Sequence, residues 1–352
     1  MGASPYRSER RMTDWPFASP IKPMKARVRE TPPRGKGWVY EPKWDGFRAV
    51  AWGGREPKLE SRNGKPLLRY FPELLPALGQ LPVGTVIDGE IVVVVYDATQ
   101  FDQLQSRIHP ATSRIELLSN EIPAELVAFD LLAIGGEDLR AAPWSDRRAQ
   151  LERLFEDLEF PWHLTPVTRD YAEAERWFSE YEGAGCDGII CKLDDGDYVE
   201  DKRVWIKWKH RRDCDCVVGG YRVHKDGNKI GSLLLGLYNE EGQLHFIGHC
   251  SGFSDQDRVE ILHQFEQLRT HDSFGDEVRR PGAESRWTGG KDLSWIPVEP
   301  GVVIEISYDQ LQGGRFRHAT RFLRWRPDKD AAECTMDQLE RPRGVGFDEV
   351  VG

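Results

Sequence analysis

For most of its length the chain alternates short β-branched runs with clusters of turn residues. It settles into helical spacing over 171–181 and again over 255–268. Val86-Ile87-Asp88-Gly89-Glu90-Ile91-Val92 reads as an apolar strand interrupted by a carboxylate, and Leu126-Val127-Ala128-Phe129-Asp130-Leu131-Leu132 as a strand carrying an aromatic. Ile189-Ile190-Cys191 is strand-like. Trp205-Ile206-Lys207-Trp208-Lys209 alternates, so that Lys207 and Lys209 emerge on one sheet face. The charged run 207–213 ends that pattern and a fresh strand begins at Cys214-Asp215-Cys216-Val217-Val218, which puts a domain boundary near 211–213. Strands at 232–238 and 244–249 follow, joined by the turn Asn239-Glu240-Glu241-Gly242; then come the second helix, a long Gly-, Arg- and Ser-rich loop over 274–295, and a strand at 302–308. Strands, a helix and strands again fit a small Greek-key barrel of OB type.

Composition narrows the class. A chain of 352 residues with 30% charged and 39% hydrophobic residues has room for two domains and a sizeable core. No apolar run approaches a membrane-spanning length, and residues 1–11 are polar and basic with no hydrophobic segment after them. Tyr6 stands where myristoylation needs Ser or Thr. The expected location is therefore cytoplasmic, associated with the nucleoid in a bacterium, with no membrane partner. The six cysteines form neither a C-x-x-C pair nor a zinc framework, and Cys214 and Cys216 read as pointing to opposite strand faces; reduced, partly buried thiols are expected. A formal net charge of -10 looks wrong for a nucleic-acid protein, but phosphate affinity depends on a local basic surface. Arg315, Arg317, His318, Arg321, Arg324, Arg326 and Lys329 supply one within a short segment, opposed there by Asp328. A solvated charged edge would have the same composition; the interleaved tryptophan favours nucleic acid.

The candidate chemistry starts at Glu41-Pro42-Lys43-Trp44-Asp45-Gly46-Phe47-Arg48, a K-x-D-G-x-R segment. A lysine that attacks phosphorus must first lose its proton, so its pKa must be lowered by burial or by neighbouring cations. Charge developing on phosphate oxygens calls for further Lys or Arg and a divalent metal, and a nucleoside calls for an aromatic face and hydrogen bonds to ribose. In chain order the sequence offers Arg62 at the turn Ser61-Arg62-Asn63-Gly64-Lys65, Glu90, Phe129, Asp187 in Asp187-Gly188-Ile189-Ile190-Cys191-Lys192, and Lys207 with Lys209. Singly, each fits an ordinary role: Phe129 in a core, Glu90 or Asp187 capping a turn, the two lysines on a solvated face. Gly183-Ala184-Gly185-Cys186-Asp187-Gly188 matches G-x-G-x-x-G, but a helix pattern precedes it and a strand follows. That is the reverse of a dinucleotide fold, so it reads as a helix exit and turn.

Taken together and in this order, these segments resemble the motif series of the ATP-dependent DNA ligases, within the covalent nucleotidyltransferases. The resemblance runs from about Ile21 to about Asp330 and is nearest to the short bacterial ligases of the group C type. It implies an α+β nucleotidyltransferase (ATP-grasp-like ligase) domain with antiparallel sheets, followed by a C-terminal all-β OB-fold barrel. The domains would be a tail over 1–20, an adenylation domain over 21–212, the OB-fold domain over 213–345 and a tail over 346–352. Lys43 would be the adenylated nucleophile and Glu41 would read the adenine amine. Arg48 and Arg62 would contact ribose and phosphates, with Arg62 also reaching the nick phosphate. Glu90 would bind ribose or metal, Phe129 would stack on adenine, and Lys207 and Lys209 would hold the α-phosphate. Asp187 would be a second metal ligand, although most relatives carry glutamate there. Arg324-Trp325-Arg326-Pro327-Asp328-Lys329 resembles the last motif of the superfamily, with Arg326 and Lys329 implied to contact the ATP β- and γ-phosphates, and Arg317, Arg321 and Arg324 to bind DNA. ATP and Mg²⁺ or Mn²⁺ are the implied cofactors. Nicked duplex DNA is the implied substrate, bound by a monomer, with end-joining or primase-polymerase repair proteins as further partners. An RNA ligase, a capping guanylyltransferase and a non-catalytic OB-fold nucleic-acid-binding protein are the alternatives.

Overall fold

The protein is described from a computed structural model, over residues 14–275, 280–282, 292–339 and 344–352. The loop expected at 274–295 lies mostly outside these residues, as does most of the 1–20 tail. The described residues fall into two compact units, one within Met1–Lys209 and Pro342–Gly352, the other within His210–Arg341.

The first unit is built on two sheets. Its main strands are β1 (Lys25–Val28), β2 (Trp38–Trp44), β3 (Phe47–Trp52), β4 (Lys58–Ser61), β5 (Val86–Val92), β6 (Glu125–Ile134), β7 (Trp162–Leu164), β8 (Cys186–Leu193) and β9 (Arg203–Lys209). One sheet has the order β1-β9-β8-β2 and the other β7-β6-β5-β3-β4. Antiparallel pairing dominates, as expected, but two pairs are parallel: β1 with β9 and β7 with β6. The β-branched run of β5 is covered along its whole length except at Glu90, which is half-buried. Two helices, α1 (Trp144–Phe155) and α2 (Tyr171–Glu180), pack on the sheets. The glycines after α2 lead out of that helix and into β8, so the order is helix then strand.

Two glycines explain the paired Asp-Gly steps. A Cβ on Gly46, at the β2–β3 turn, would lie 2.2 Å from the Ile91 carbonyl oxygen and 2.7 Å from Glu90 Cγ, so any side chain there would push Glu90 aside. Gly188 holds φ at +140°, and a Cβ would meet the Trp208 carbonyl oxygen at 2.0 Å. Between Cys186 and Ile189 the register of β8 on β2 slips. This local irregularity re-aims Asp187, the residue carried within it. Pro42 lies on β2, an edge strand of its sheet, where a missing N–H is tolerated.

Residues 346–352, read from sequence as a tail, instead include the helix α4 (Phe347–Val351), which belongs to the first unit. Phe347 and Val350 are buried against Trp44, Val92 and Val127, with the Phe347 and Trp44 rings edge to face at 5.3 Å. The physical reason is apolar area: Phe347 is fully covered. The Phe347 and Asp348 amides donate to the Asp97 carbonyl and carboxylate, at 2.7 and 2.9 Å.

The second unit carries β10 (Arg212–Val223), β11 (Ile230–Tyr238), β12 (Leu244–Cys250), β13 (Val303–Tyr308) and β14 (Arg321–Trp325), with α3 (Asp255–Glu266) between β12 and β13. The sheet order is β12-β11-β10-β13-β14, antiparallel throughout, and a parallel bridge joins Cys250 at the end of β12 to Thr320 just before β14. Ser254 and Asp257 cap α3 reciprocally, and Ile261, Leu262 and Phe265 turn its apolar face into the core. Cys214 and Cys216 both sit in that core, which corrects the expectation of opposite faces: residues two apart along a strand share a face. All six cysteines are free thiols, and all are buried rather than partly so.

Candidate active site

A cleft of about 650 Å³ in the first unit is lined by Glu41, Lys43, Arg48, Arg62, Glu90, Phe129, Lys192, Trp205 and Lys207, among others. Both sheets contribute. β2 supplies Glu41 and Lys43, β3 Arg48, β5 Glu90, β6 Phe129, β8 Lys192 and β9 Lys207. Seven of the residues singled out from sequence thus meet in one cavity, although they are spread over 166 positions from Glu41 to Lys207.

Lys43 Nζ lies 2.6 Å from one carboxylate oxygen of Asp187, whose other oxygen is 3.2 Å from Lys209 Nζ. The consequence runs against the expectation of a depressed lysine. Burial pulls the Lys43 pKa down, but the charge and hydrogen bond of Asp187, with help from Glu90 and Asp45, raise it above the ordinary value. Burial likewise disfavours the Asp187 anion, yet Lys43 and Lys209 hold its pKa below the ordinary carboxylate value. The depressed lysine is Lys207, lowered by burial and then by the neighbouring charges of Lys43 and Lys209. In this state the resting nucleophile candidate is an ammonium locked to Asp187.

Glu90 is different. Burial pushes its carboxyl up to about 8, with Lys43 and Arg48 drawing it back only in part. Arg48, its cross-strand partner, is occupied elsewhere: the guanidinium donates to both oxygens of buried Asp88, Nε at 2.9 Å and Nη2 at 2.5 Å, and Tyr198 Oη donates to the same carboxylate at 2.7 Å. Arg48 is therefore fixed by Asp88 with its face toward Phe129 and Trp205, 5.4 and 5.0 Å from the ring centres. Phe129 is half-buried, edge to face with Trp205 at 6.0 Å, so its ring packs on the core and also borders the cleft. Arg62 is exposed at the mouth.

Glu41 and Lys192 form the floor. Both are almost completely buried, 2.8 Å apart, and Lys192 Nζ also donates to the Phe129 carbonyl at 2.8 Å. The second Glu41 oxygen, Oε1, is buried with no hydrogen-bond partner. Lys192 was not singled out from sequence as a site residue. The available signal was a lysine directly after the apolar run Ile189-Ile190-Cys191, since a buried cation requires a partner. Asp88 and Tyr198 were missed for want of any pattern linking them to Arg48.

Arg317, Arg321, Arg324, Arg326 and Lys329 lie in the second unit. Arg321 and Arg324 are exposed on β14, beside the partly exposed Leu323 and Trp325. Arg324 pairs with Glu305, and Arg317 Nη1 donates to Gln310 Oε1 at 2.8 Å. Arg326 turns inward: Nη1 bonds both oxygens of Asp215 at 2.8 Å while the rest of its fork meets Asp328. Lys329 pairs with Glu333 at 2.5 Å.

Against this geometry, comparison with known proteins is decisive. A family model described as ATP dependent DNA ligase domain matches residues 16–209, and one described as ATP dependent DNA ligase C terminal region matches 226–329. The chain is 46% identical to DNA ligase C of Mycobacterium tuberculosis over 96% of its own length and 98% of the relative's. The chain belongs to the ATP-dependent DNA ligases. This ligase is also 30% identical, over 85% of its length, to 37% of the multifunctional non-homologous end joining DNA repair protein LigD of the same organism. Among solved structures it resembles one of the Lig E DNA ligases with a TM-score of 0.56 at 16% identity, covering 88% of this chain and all of the other, a likeness of fold alone. An enzyme of this family takes ATP and a DNA substrate, and the cleft around Lys43 lies within the matched ligase domain.

Proposed function

We propose that this ligase seals nicks through a covalent intermediate on Lys43. The carrying observation is the placement of Lys43 Nζ against Asp187 in a cleft also lined by Glu41, whose buried Oε1 has no hydrogen-bond partner. In the first step the Lys43 amine, freed of one proton, forms a bond to the α-phosphorus of ATP as the bridging bond to pyrophosphate breaks. AMP then passes to the 5′-phosphate at a nick, and the 3′-hydroxyl displaces it. Lys207 and Lys209 would hold the α-phosphate, Arg48 and Arg62 would meet ribose and phosphates, and Arg62 would also reach the nick phosphate. Glu41 would accept from the adenine amine, and Phe129 would cover the base.

Glu90 and Asp187, which flank Lys43, suit a hard cation. Among the described residues no three His, Cys, Asp or Glu side chains cluster as a metal cage, so an ion held by Glu90 and Asp187 would need substrate phosphates to complete its ligands. When bound, the ion would screen charge on the reacting phosphate.

The second unit supports an OB-type barrel: strand pairing 1-2, 2-3, 1-4 and 4-5, with a parallel bridge from strand 3 to strand 5 and the helix between strands 3 and 4. Arg317, Arg321 and Arg324 are proposed to bind DNA, and Arg326 and Lys329 to serve the departing pyrophosphate. A monomer acting in the cytoplasm is the working unit of this proposal. End-joining or primase-polymerase repair proteins are its proposed partners, a reading supported by the end-joining relative.

Incubation with α-labelled ATP or GTP, followed by nicked DNA or nicked RNA, tests the reading: label from ATP on the protein and sealing of nicked DNA are expected. GTP labelling would point to a capping enzyme, and preference for nicked RNA to an RNA ligase. Phe129→Leu should leave the melting temperature within about 3 °C and raise the ATP concentration needed for adenylation on the order of tenfold. A large loss of stability at unchanged ATP dependence would assign the ring to packing only. Lys329→Ala should slow labelling by ATP far more than sealing of pre-adenylated nicks; equal losses in the two assays would assign Lys329 a general role.

A further inference from the structure

We infer that Lys192 is a specificity-determining residue. By binding one oxygen of Glu41 and the carbonyl of Phe129, it leaves the other Glu41 oxygen as an obligatory hydrogen-bond acceptor facing the base, which selects a 6-amino purine over a 6-oxo purine. This rests on Glu41 as the reader of the base and adds what decides the chemistry of that reader.

The geometry leaves Lys192 little other use. Its ammonium is 1% exposed, and it donates to Glu41 Oε2 and to Phe129 O, each at 2.8 Å, with Asp130 Oδ2 further away at 3.9 Å. It cannot reach into the cleft as a phosphate-binding lysine without abandoning both bonds. Asp130 is itself held by both arms of Arg147, at 2.7 and 3.1 Å, so the carboxylate behind Lys192 is already neutralised and Lys192 belongs to Glu41. The result is a buried row of alternating charge, Glu41, Lys192, Asp130 and Arg147, whose first member lines the cleft and keeps one oxygen without a hydrogen-bond partner.

A lone buried carboxyl would rather keep its proton, and an O–H at that position donates where the adenine amine also donates. Burial does raise the Glu41 pKa, and Lys192 is the largest influence acting against it, followed by Arg148; Asp130 works in the same sense as burial. The Cys191 thiol also feels the Glu41 charge, and its own pKa is pushed up to about 12, so it stays neutral. Lys192, 2.8 Å from Glu41 and the largest influence holding it ionised, thus favours an acceptor over a donor at this end of the cleft. A site built to bond one polar edge rejects its opposite by 10²-fold or more, on the order of the discrimination seen when buried partners are left unpaired.

The test uses the whole protein, α-labelled ATP, and α-labelled inosine triphosphate, which carries a 6-oxo group and no 2-amino group to accommodate. The parent should prefer ATP by about 10²-fold or more. Glu41→Gln should invert this preference at every pH. Lys192 takes the amide oxygen and turns the NH₂ toward the base, so labelling by inosine triphosphate should rise above that of the parent. Lys192→Met should lose at least about tenfold of the ATP preference at pH 7 and regain it as the pH is raised, because without the cation Glu41 releases its proton only at higher pH. If Glu41→Gln kept the full ATP preference, Glu41 would not be the reader and the underlying assignment would fall. If Glu41→Gln lost ATP use with no gain for inosine triphosphate, or if folded Lys192→Met kept the parent's preference, Lys192 would be only a structural cation. The Glu41→Gln result decides the matter even if Lys192→Met does not fold.

Discussion

Lys43→Ala should carry no covalent AMP after incubation with ATP and should seal no nick with ATP as the energy source. It should still join nicks that already bear a 5′-AMP. The first loss follows from removal of the only protein atom proposed to bond phosphorus. The second activity survives because the 3′-hydroxyl is then the nucleophile and Lys43 contributes charge alone, leaving Lys207 and Lys209 on the phosphate. The substitution also releases Asp187 from its 2.6 Å partner, while Lys209 at 3.2 Å keeps that carboxylate paired, so the variant should fold. Gel labelling with α-labelled ATP, beside ligation of a synthetic adenylated nick, measures both. A labelled Lys43→Ala protein would sink the assignment of the nucleophile.

Glu90→Gln should abolish at least about 99% of adenylation while making the protein more stable than the parent at pH 8. Burial raises the Glu90 pKa from 4.5 to about 8, so across that window the folded protein keeps a proton that the unfolded chain has lost. Stability from this group is full below the unfolded value and drains away as the pH rises through the folded one. The neutral amide removes that slope. Allowing for the half-open setting of the side chain, the gain at pH 8 should be about 1–3 kcal/mol, shrinking to nothing near pH 4. The same proton competes with a cation, so the parent's affinity for magnesium-ATP should climb between pH 6 and 8 and then level, and Glu90→Gln should show no such climb. Denaturant titrations across pH check the first outcome and calorimetric titrations the second; parallel stability curves for the two proteins would count against it.

Strands were legible where a β-branched run spoke for itself. The run from Val86 to Val92 coincides with β5, and Glu90 was correctly placed on a rigid element. Pairing direction was not legible, because β1 finds β9 some 175 residues downstream and nothing local in Lys25–Val28 says that the partner runs parallel. The residues of the cleft could be gathered from their order, but not their charge states. That Lys43 would be raised and Lys207 lowered depends on Asp187, which reaches Lys43 through a slip of register at Gly188. Arg326 illustrates the same limit. Its neighbours suggested an exposed basic edge, yet it is bound to Asp215, a residue 111 positions earlier.

The helix α4 has a consequence for how the molecule is made. Trp44, next to Lys43, shares an apolar patch with Val92 and Val127 whose cover, Phe347 and Val350, leaves the ribosome only after the second unit has been synthesised. Domains otherwise tend to fold in the order they emerge. Here the nascent first unit must wait, with that patch bare, through the translation of more than a hundred residues. During this interval, unlike in the finished enzyme, that apolar patch is exposed to other chains.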